Sequence, residues 1–219
     1  MTAETDYRLF TEVSAVLTGK IGRFGPNGEP SGIRKVLCDD KVRISMLGIE
    51  GDEQADLEYH GGIDKAIHHY PFDHYPTWIA DRPELAAHLA APGAFGENIS
   101  TRGFTEADVC IGDLWRLGTA LVEVSQGRQP CWKLGHRFGD KRMVAWVVET
   151  GRSGWYYRVR EAGELTVGDR LDLVERPHSD WTVARVFRML IGGRGTPEEH
   201  RQLSEVSPLA VSWKARIRL

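Results

Sequence analysis

Short runs of strand-forming residues, separated by Gly, Pro or Asp, extend over residues 12–174 and limit the folds open to this chain. Val, Ile, Leu and aromatic residues alternate or cluster over strand lengths in SAVLTGKI, GIRKVL, VRISMLGI, DLWRLG, ALVEVS, GWYYRVR and GDRLDLVE. Alternation with a period of two is typical of strands, and Gly-Asp steps such as those at 112–113 and 168–169 favour turns. The pattern predicts a mainly β fold, either a barrel or a sandwich.

Two helices are predicted within this strand-rich part. One covers residues 73–80, ahead of Pro83. The other runs over residues 141–149, between Asp140 as a cap and Gly151 as a stop. We expect both helices to cover an open end of a barrel.

The pattern changes to helices after Val174. A first helix is predicted behind a cap at Ser179 or Asp180, with apolar residues at positions 183, 186, 187 and 190. Thr196 begins a capping box, and Ser207-Pro208 opens a third helix. We therefore predict a barrel domain over residues 1–175 and a three-helix domain over 176–219. So short a unit is expected to pack on the barrel or on another subunit, as in a homodimer.

Composition excludes several classes of partner. Hydrophobic residues make up 41% of the chain and charged residues 27%, which is typical of a folded protein. The formal net charge of −3 gives no global attraction to nucleic acid or to an anionic membrane. The N-terminal residues have no basic segment leading into a long apolar run, and we find no apolar stretch of bilayer length. A cytoplasmic protein with a small-molecule partner is expected.

The three cysteines form no C-x-x-C pair, which argues against a disulfide framework or a cysteine-built cluster. Cys38 and Cys110 stand beside apolar residues, where a small buried side chain is expected. Cys131 differs because Arg128 and Lys133 flank it in GRQPCWK and favour its thiolate. A thiolate there could bind a soft metal or act as a nucleophile. The alternative, a loop cysteine beside chance basic residues, stays open.

Two further segments are rich in polar residues and glycine. In the segment 48–71, His60 precedes two glycines and Lys65 follows within reach of an anionic ligand. In FGENIS, Asn98 can both donate and accept hydrogen bonds. Simple turns between strands are the alternative for both segments. Adjacent His68 and His69 point to opposite faces of a strand, which argues against a zinc site.

Several of these segments in order, GDEQADLEYHGGIDKAIHHYP, AFGENIS, IGD, SQGRQPCWKL and TGRSGWYYRV, resemble the MOSC family, and in particular its YiiM-type branch. The helical tail resembles the small C-terminal domain of that branch. The resemblance implies a MOSC-type β-barrel with a few covering helices. It also implies molybdenum cofactor chemistry, in the reduction and detoxification of N-hydroxylated bases, and the family is further associated with pyridoxal phosphate binding.

The same resemblance implies roles for individual residues. Cys131 matches the motif cysteine and would be the protein ligand of molybdenum, while Arg128, with Lys133 and Lys65, would bind the anionic end of the Mo-pterin cofactor. Asn98 matches the family's asparagine, and His60 would bind substrate or relay protons. Many members have proline-arginine where this chain has Gly127-Arg128.

The sequence leaves three functions open. In the first, an enzyme reduces N-hydroxylated molecules with electrons from a separate reductase, since we find no haem, cluster or Rossmann motif. In the second, Cys131 carries sulfur or the cofactor without turnover. In the third, the barrel only binds a small molecule.

Overall fold

The computed structural model describes residues 9–55 and 61–218. Its thirteen strands are β1 (Phe10–Thr18), β2 (Gly22–Arg23), β3 (Pro30–Ser31), β4 (Val36–Leu37), β5 (Val42–Ser45), β6 (Gly48–Ile49), β7 (Ile67–His69), β8 (Ile99–Thr101), β9 (Leu114–Leu117), β10 (Ala120–Gly127), β11 (Trp155–Glu161), β12 (Gly163–Leu165) and β13 (Arg170–Glu175).

Seven of these strands close into a β-barrel, as the resemblance predicted. The order is β13-β9-β10-β11-β7-β8-β1, and β1 pairs with β13 to complete the ring. Neighbours in the ring are antiparallel except β7 and β8, which run parallel through His69 and Ile99. The remaining short strands extend or flank the ring, with β12, β5 and β6 forming a separate sheet.

Alternation along the barrel strands puts one face of each strand in a shared core. In β9, Trp115 and Leu117 are fully buried, while the residues between them are partly exposed. The two Gly-Asp steps lie in turns that enter β9 and β13, and those two strands pair with each other. Asp113 stabilises its turn by accepting the Cys110 backbone N–H at 2.9 Å.

The two predicted internal helices are α1 (His74–Asp81) and α3 (Met143–Thr150). Helix α1 ends at Asp81, ahead of Pro83. Helical structure then resumes, because Pro83 begins a 3-10 helix (Pro83–His88). The predicted cap of α3 at Asp140 was wrong, because the N-cap is Arg142 and no side chain caps it. Asp140 instead accepts the Arg142 backbone N–H at 2.8 Å in the turn before the helix. Gly151 ends α3 as predicted, in the left-handed conformation (φ 74°).

One helix was missed. Helix α2 (Trp132–Phe138) follows Cys131 directly, where the sequence predicted only a polar loop. Leu134 and Phe138, one helical turn apart, are buried. Residue 135 lies inside the helix and is a glycine. A Cβ there would be 3.1 Å from the Lys141 Cα, so the close backbone favours a residue without a side chain. That glycine and the short length hide the helix in the sequence.

The tail contains three helices, α4 (Val183–Leu190), α5 (Pro197–Ser204) and α6 (Val211–Lys214). The Thr196 capping box is confirmed. The predicted cap of α4 was wrong, because Thr182, and neither Ser179 nor Asp180, accepts the Arg185 backbone N–H. The predicted start of the third helix at Ser207-Pro208 was also wrong, because these two residues form a turn and α6 begins only at Val211. Ala210, just before the helix, forms a backbone hydrogen bond with the barrel.

The tail packs against the barrel. The Ala210 N–H donates to the Ser125 carbonyl of β10 at 3.0 Å, and Ser212 Oγ lies 3.1 Å from Gln126 Oε1. Buried tail side chains such as Phe187 and Trp213 belong to the same apolar core as the barrel. Across residues 9–55 and 61–218, no helix is long and apolar enough to span a membrane.

Candidate functional site

Cys131 lies where β10 passes into α2. It is the extended residue (φ −125°, ψ 169°) ahead of the first turn of α2, and its side chain is half-buried. The thiol lines a cleft with about 560 Å³ of empty space that is partly open to solvent. A partly open cleft at the end of a barrel strand is a typical location for a small-molecule site.

Segments far apart in the sequence form the other walls of the cleft. Residues 31–35 and 53–55 form one side, and the loop 95–98 forms another. Strands β7 and β11 contribute His68 and Tyr156, and the segment before and after Cys131 contributes Arg128 and Lys133. Three of the predicted residues, Arg128, Lys133 and Asn98, therefore lie in the same wall lining as Cys131.

Arg128 is the most deeply buried cation of the cleft, with 6% of its surface exposed. Its backbone N–H donates to the Gly154 carbonyl at 3.0 Å. Its Nη1 atom is buried without a hydrogen-bond partner. A buried guanidinium donor without an acceptor is costly, so an anionic or carbonyl group in the cleft would relieve it.

His68 is the second buried group with an unpartnered polar atom in the cleft. It is 3% exposed, and its Nε2 has no hydrogen-bond partner. Burial, reinforced by the positive charge of Arg128, holds the pKa of His68 well below its usual value. The Tyr156 ring lies beside it, with ring centroids 5.0 Å apart.

Tyr156 connects these groups electrostatically. Burial raises the pKa of its hydroxyl, the charge of Arg128 lowers it, and the charge on Cys131 raises it. The thiol, the guanidinium and the phenol therefore share one electrostatic environment.

Asn98 lies in the lining, but its side-chain amide is committed to the protein. Its Oδ1 accepts the His68 backbone N–H at 3.0 Å, and its Nδ2 donates to the Leu17 carbonyl and to Asp52. The residue thus holds His68 in place. A direct contact between Asn98 and a cofactor stays a prediction.

Lys35, which sequence reasoning did not single out, forms a buried ion pair beside the cleft with Asp52 of the polar segment 48–71, with side chains 6% and 5% exposed. Asp52 also accepts the Gly19 backbone N–H at 2.7 Å. Lys35 lines the cleft with Arg128 and Lys133, and Glu53 is the one carboxylate among the lining residues that the structure describes. The lining therefore favours an anionic ligand.

The remaining predicted residues have different outcomes. The Lys133 Nζ donates to the Pro30 carbonyl at 3.0 Å, which ties α2 to the wall formed by residues 31–35. Lys65 ends a 3-10 helix (Ile63–Lys65) ahead of β7 and does not line the cleft, and its carbonyl accepts from Gln54 at 3.4 Å. His60 lies outside the described residues.

The other histidines and cysteines that the structure describes do not converge as metal ligands. His69 points away from His68 and bonds to Tyr157 and Thr101, and burial lowers its pKa to about 3. Burial, with the Asp113 charge, raises the pKa of Cys110 to about 11. Cys38 was expected to be buried but is half-buried. Among residues 9–55 and 61–218, no three His, Cys, Asp or Glu side chains converge as metal ligands.

This donor set fits a cofactor that brings most of its own metal ligands. Cys131 offers one soft sulfur, while Arg128 and His68 offer unpartnered polar atoms in a cationic lining. The residues present are thus compatible with an anionic molybdenum cofactor.

Comparison with known proteins gives the same family. Residues 56–172 match the model of the MOSC domain. The protein YiiM of Escherichia coli is 41% identical over 198 residues, which cover 90% of this chain and 87% of YiiM. A Gibberella moniliformis protein named "Reductase" is 41% identical over 177 residues, covering 80% of this chain but 31% of that longer protein.

The crystal structure of Escherichia coli YiiM superposes with a TM-score of 0.78 and 34% identity, covering 94% of this chain and 90% of YiiM. The sequence match and the fold agree over nearly the whole chain, so this protein belongs to the MOSC family.

Proposed function

We propose that the protein binds the molybdenum cofactor in the Cys131 cleft and reduces N-hydroxylated small molecules, such as hydroxylaminopurines and amidoximes, to amines. Its family is associated with molybdenum cofactor sulfurases and reductases. The observation that carries the proposal is that the Cys131 thiol shares one cleft with two buried polar atoms, Arg128 Nη1 and His68 Nε2, that have no partner in the protein.

Each side chain has a proposed task in holding the cofactor. The Cys131 thiolate binds the metal, since a soft sulfur suits molybdenum better than the oxygen ligands nearby. Arg128 Nη1, with Lys133 and Lys35 further along the lining, neutralises the anionic end of the cofactor. Asn98 keeps His68 in position through the hydrogen bond to its backbone N–H.

The net reaction converts an N–OH group to N–H and releases one water, and it consumes two electrons and two protons. When bound, the cofactor supplies the two-electron oxygen chemistry that protein side chains lack. The lowered pKa of His68 keeps its imidazole neutral at neutral pH, so its unpartnered Nε2 can form a hydrogen bond with a group bound in the cleft. His60 and Lys65 stay predictions for substrate binding and for charge neutralisation.

The electrons require a partner. The sequence contains no haem motif, cysteine cluster or Rossmann fingerprint, so a separate reductase must deliver them. The relative named "Reductase", in which the matching region is 31% of the protein, supports this pairing with reductase chemistry. None of the three cysteines forms a disulfide, which fits a reducing compartment such as the cytoplasm.

The alternative function is a carrier. A half-buried thiol at a cleft mouth could also hold sulfur as a persulfide, or hold the cofactor for transfer to another protein. Arg128 and Lys133 would then stabilise the thiolate rather than orient a substrate.

The two functions differ in a direct assay. The protein, produced in a host that makes the cofactor, is incubated with 6-N-hydroxylaminopurine or benzamidoxime, a flavin reductase and its reduced nicotinamide donor. Amine formation that needs all components and is lost in Cys131→Ala, with Cys38→Ala as the matched control, supports the enzyme. A mass gain of one sulfur atom on Cys131, without amine formation, supports the carrier.

A further inference from the structure

A second hollow lies within the three-helix tail. It has about 970 Å³ of empty space and is formed by the end of α4, the loop before α5, the start of α5 and the chain after α6. Its floor is apolar, with Met189, Leu190 and Ile217. The buried His200 ties the chain after α6 to α5, because its Nδ1 accepts the Arg218 backbone N–H at 3.3 Å.

The rim of this hollow is basic. Arg216 and Arg218 line it, Arg188 and Arg194 stand on the neighbouring α4 end and loop, and all four side chains are exposed. Within the described part of the chain, none of the four forms an ion pair. Residues 176–219 carry a net charge of +4, whereas residues 1–175 carry −7. The chain thus concentrates unpaired positive charge on one small surface.

The hollow adjoins the segment that carries Cys131. The Arg216 Nη2 donates to Gln129 Oε1 at 2.7 Å, and Gln129 is two residues before Cys131. The Trp213 ring packs close to Gly127, where a Cβ would be 2.8 Å from Cη2. A protein bound at the rim would therefore lie next to the segment that leads from β10 to Cys131.

We propose that this hollow is the docking surface for an acidic electron-donating protein, an inference that rests on the function proposed above. An apolar floor beside exposed arginines that form no ion pair complements an amphipathic acidic protein surface, with an apolar side chain in the hollow and carboxylates at the rim. A nucleic acid backbone offers charge without such an apolar group, so it uses the rim but not the floor. The tail then brings the donor to the side of the barrel that carries Cys131.

The test uses the full chain and an acidic flavodoxin as the probe donor. The variant Arg194→Glu/Arg218→Glu reverses two rim charges, Arg194→Lys/Arg218→Lys retains them, and Arg43→Glu reverses a remote exposed charge on β5. Binding of flavodoxin is measured by titration calorimetry at low and moderate salt. Turnover of the N-hydroxylated substrate is measured with reduced flavodoxin and, separately, with reduced methyl viologen, which needs no docking surface.

We expect the glutamate variant to weaken flavodoxin binding by about tenfold or more at low salt and to raise the KM for flavodoxin by a similar factor. The lysine variant and Arg43→Glu bind as the unmodified chain does, and viologen-driven turnover is the same in all. Unchanged binding in the glutamate variant, equal weakening in Arg43→Glu, or no binding of flavodoxin by the unmodified chain overturns the docking surface. So does selective binding of a short DNA duplex or self-association through the same arginines.

The two proposals fail separately. An absence of viologen-driven turnover in cofactor-loaded protein contradicts the proposed reductase function. The calorimetric comparison between the glutamate and lysine variants is still decisive for the docking surface in that case, because it needs no turnover.

Discussion

Replacing Arg128 by methionine separates the stability of the empty protein from its ability to hold a cofactor. The guanidinium is 6% exposed, and its Nη1 has no hydrogen-bond partner. Methionine keeps an unbranched side chain of similar length and removes the buried charge. If Arg128 serves to bind a ligand and does not stabilise the fold, the cofactor-free Arg128→Met variant has a higher free energy of unfolding than the cofactor-free unmodified protein.

The magnitude follows from two opposing contributions. A buried donor left unsatisfied costs roughly 1–3 kcal/mol, which the substitution recovers. The electrostatic interaction of Arg128 with the Tyr156 hydroxyl is lost, at a cost of about 1 kcal/mol. We expect the free energy of unfolding of the cofactor-free Arg128→Met variant to rise by about 1 kcal/mol. We also expect the variant to retain little molybdenum when made in a cofactor-producing host.

Arg137→Met is the matched control, because the guanidinium of Arg137 has hydrogen-bond acceptors within the protein. Its Nε and Nη2 donate to the Ala94 and Gly93 carbonyls at 2.7 and 2.9 Å. Losing these bonds costs about 2 kcal/mol, so the same substitution has the opposite sign. Urea unfolding of both cofactor-free variants measures the difference. An Arg128→Met variant that is destabilised as much as Arg137→Met, or that retains full molybdenum, refutes the reasoning.

Three further predictions concern the structure around the cleft. Because the unfolded chain protonates His69 near pH 6.5 and the folded chain only near pH 3, its contribution to stability is full above pH 6.5 and is lost as the pH falls towards 3. Urea unfolding as a function of pH should show this loss at up to about 1.4 kcal/mol per pH unit, and His69→Gln should remove it; an unchanged slope contradicts the assignment. Gly96→Ala should destabilise by about 2 kcal/mol, since φ is +77° and the new Cβ would lie 2.8 Å from the Ile33 side chain; a neutral thermal melt contradicts it. Asn98→Asp should lower the unfolding free energy by about 3 kcal/mol at pH 7, because a carboxylate replaces the amide that donates to Asp52. Acidification to pH 5 should recover part of this loss. Equal stability of the variant and the unmodified protein at pH 7 would contradict the hydrogen bond between Asn98 and Asp52.

The strand pattern was sufficient to predict a mainly β fold, because alternation of buried and exposed residues depends on local sequence, but it left barrel and sandwich open, and the family resemblance predicted the barrel. Closure through β1 and β13 and the parallel contact of β7 with β8 join residues far apart, which periodicity does not encode. Helix α2 was missed for a local reason, since Gly135 and a length of seven residues weaken the helical signal.

The candidate site was predicted in part. Cys131, Arg128, Lys133 and Asn98 line one cleft, although the sequence placed them in two separate segments. Residues 68 and 69 point to opposite faces of β7, and this alternation sends His68 into the cleft, which the sequence analysis did not predict. The available signal was that His68 and His69 are adjacent in a strand, so one of the two has to face the side on which the cleft lies. The pairing of Lys35 with Asp52 needs tertiary structure, because nothing local links them.

The central claim is that Cys131 holds molybdenum in this cleft. Metal and pterin analysis of purified protein from a cofactor-producing host tests it most directly, with Cys131→Ala compared with the unmodified chain and with Cys38→Ala. We expect about one molybdenum and one pterin per chain in the unmodified protein and in Cys38→Ala, and almost no molybdenum in Cys131→Ala. Full molybdenum retention by Cys131→Ala would contradict the account.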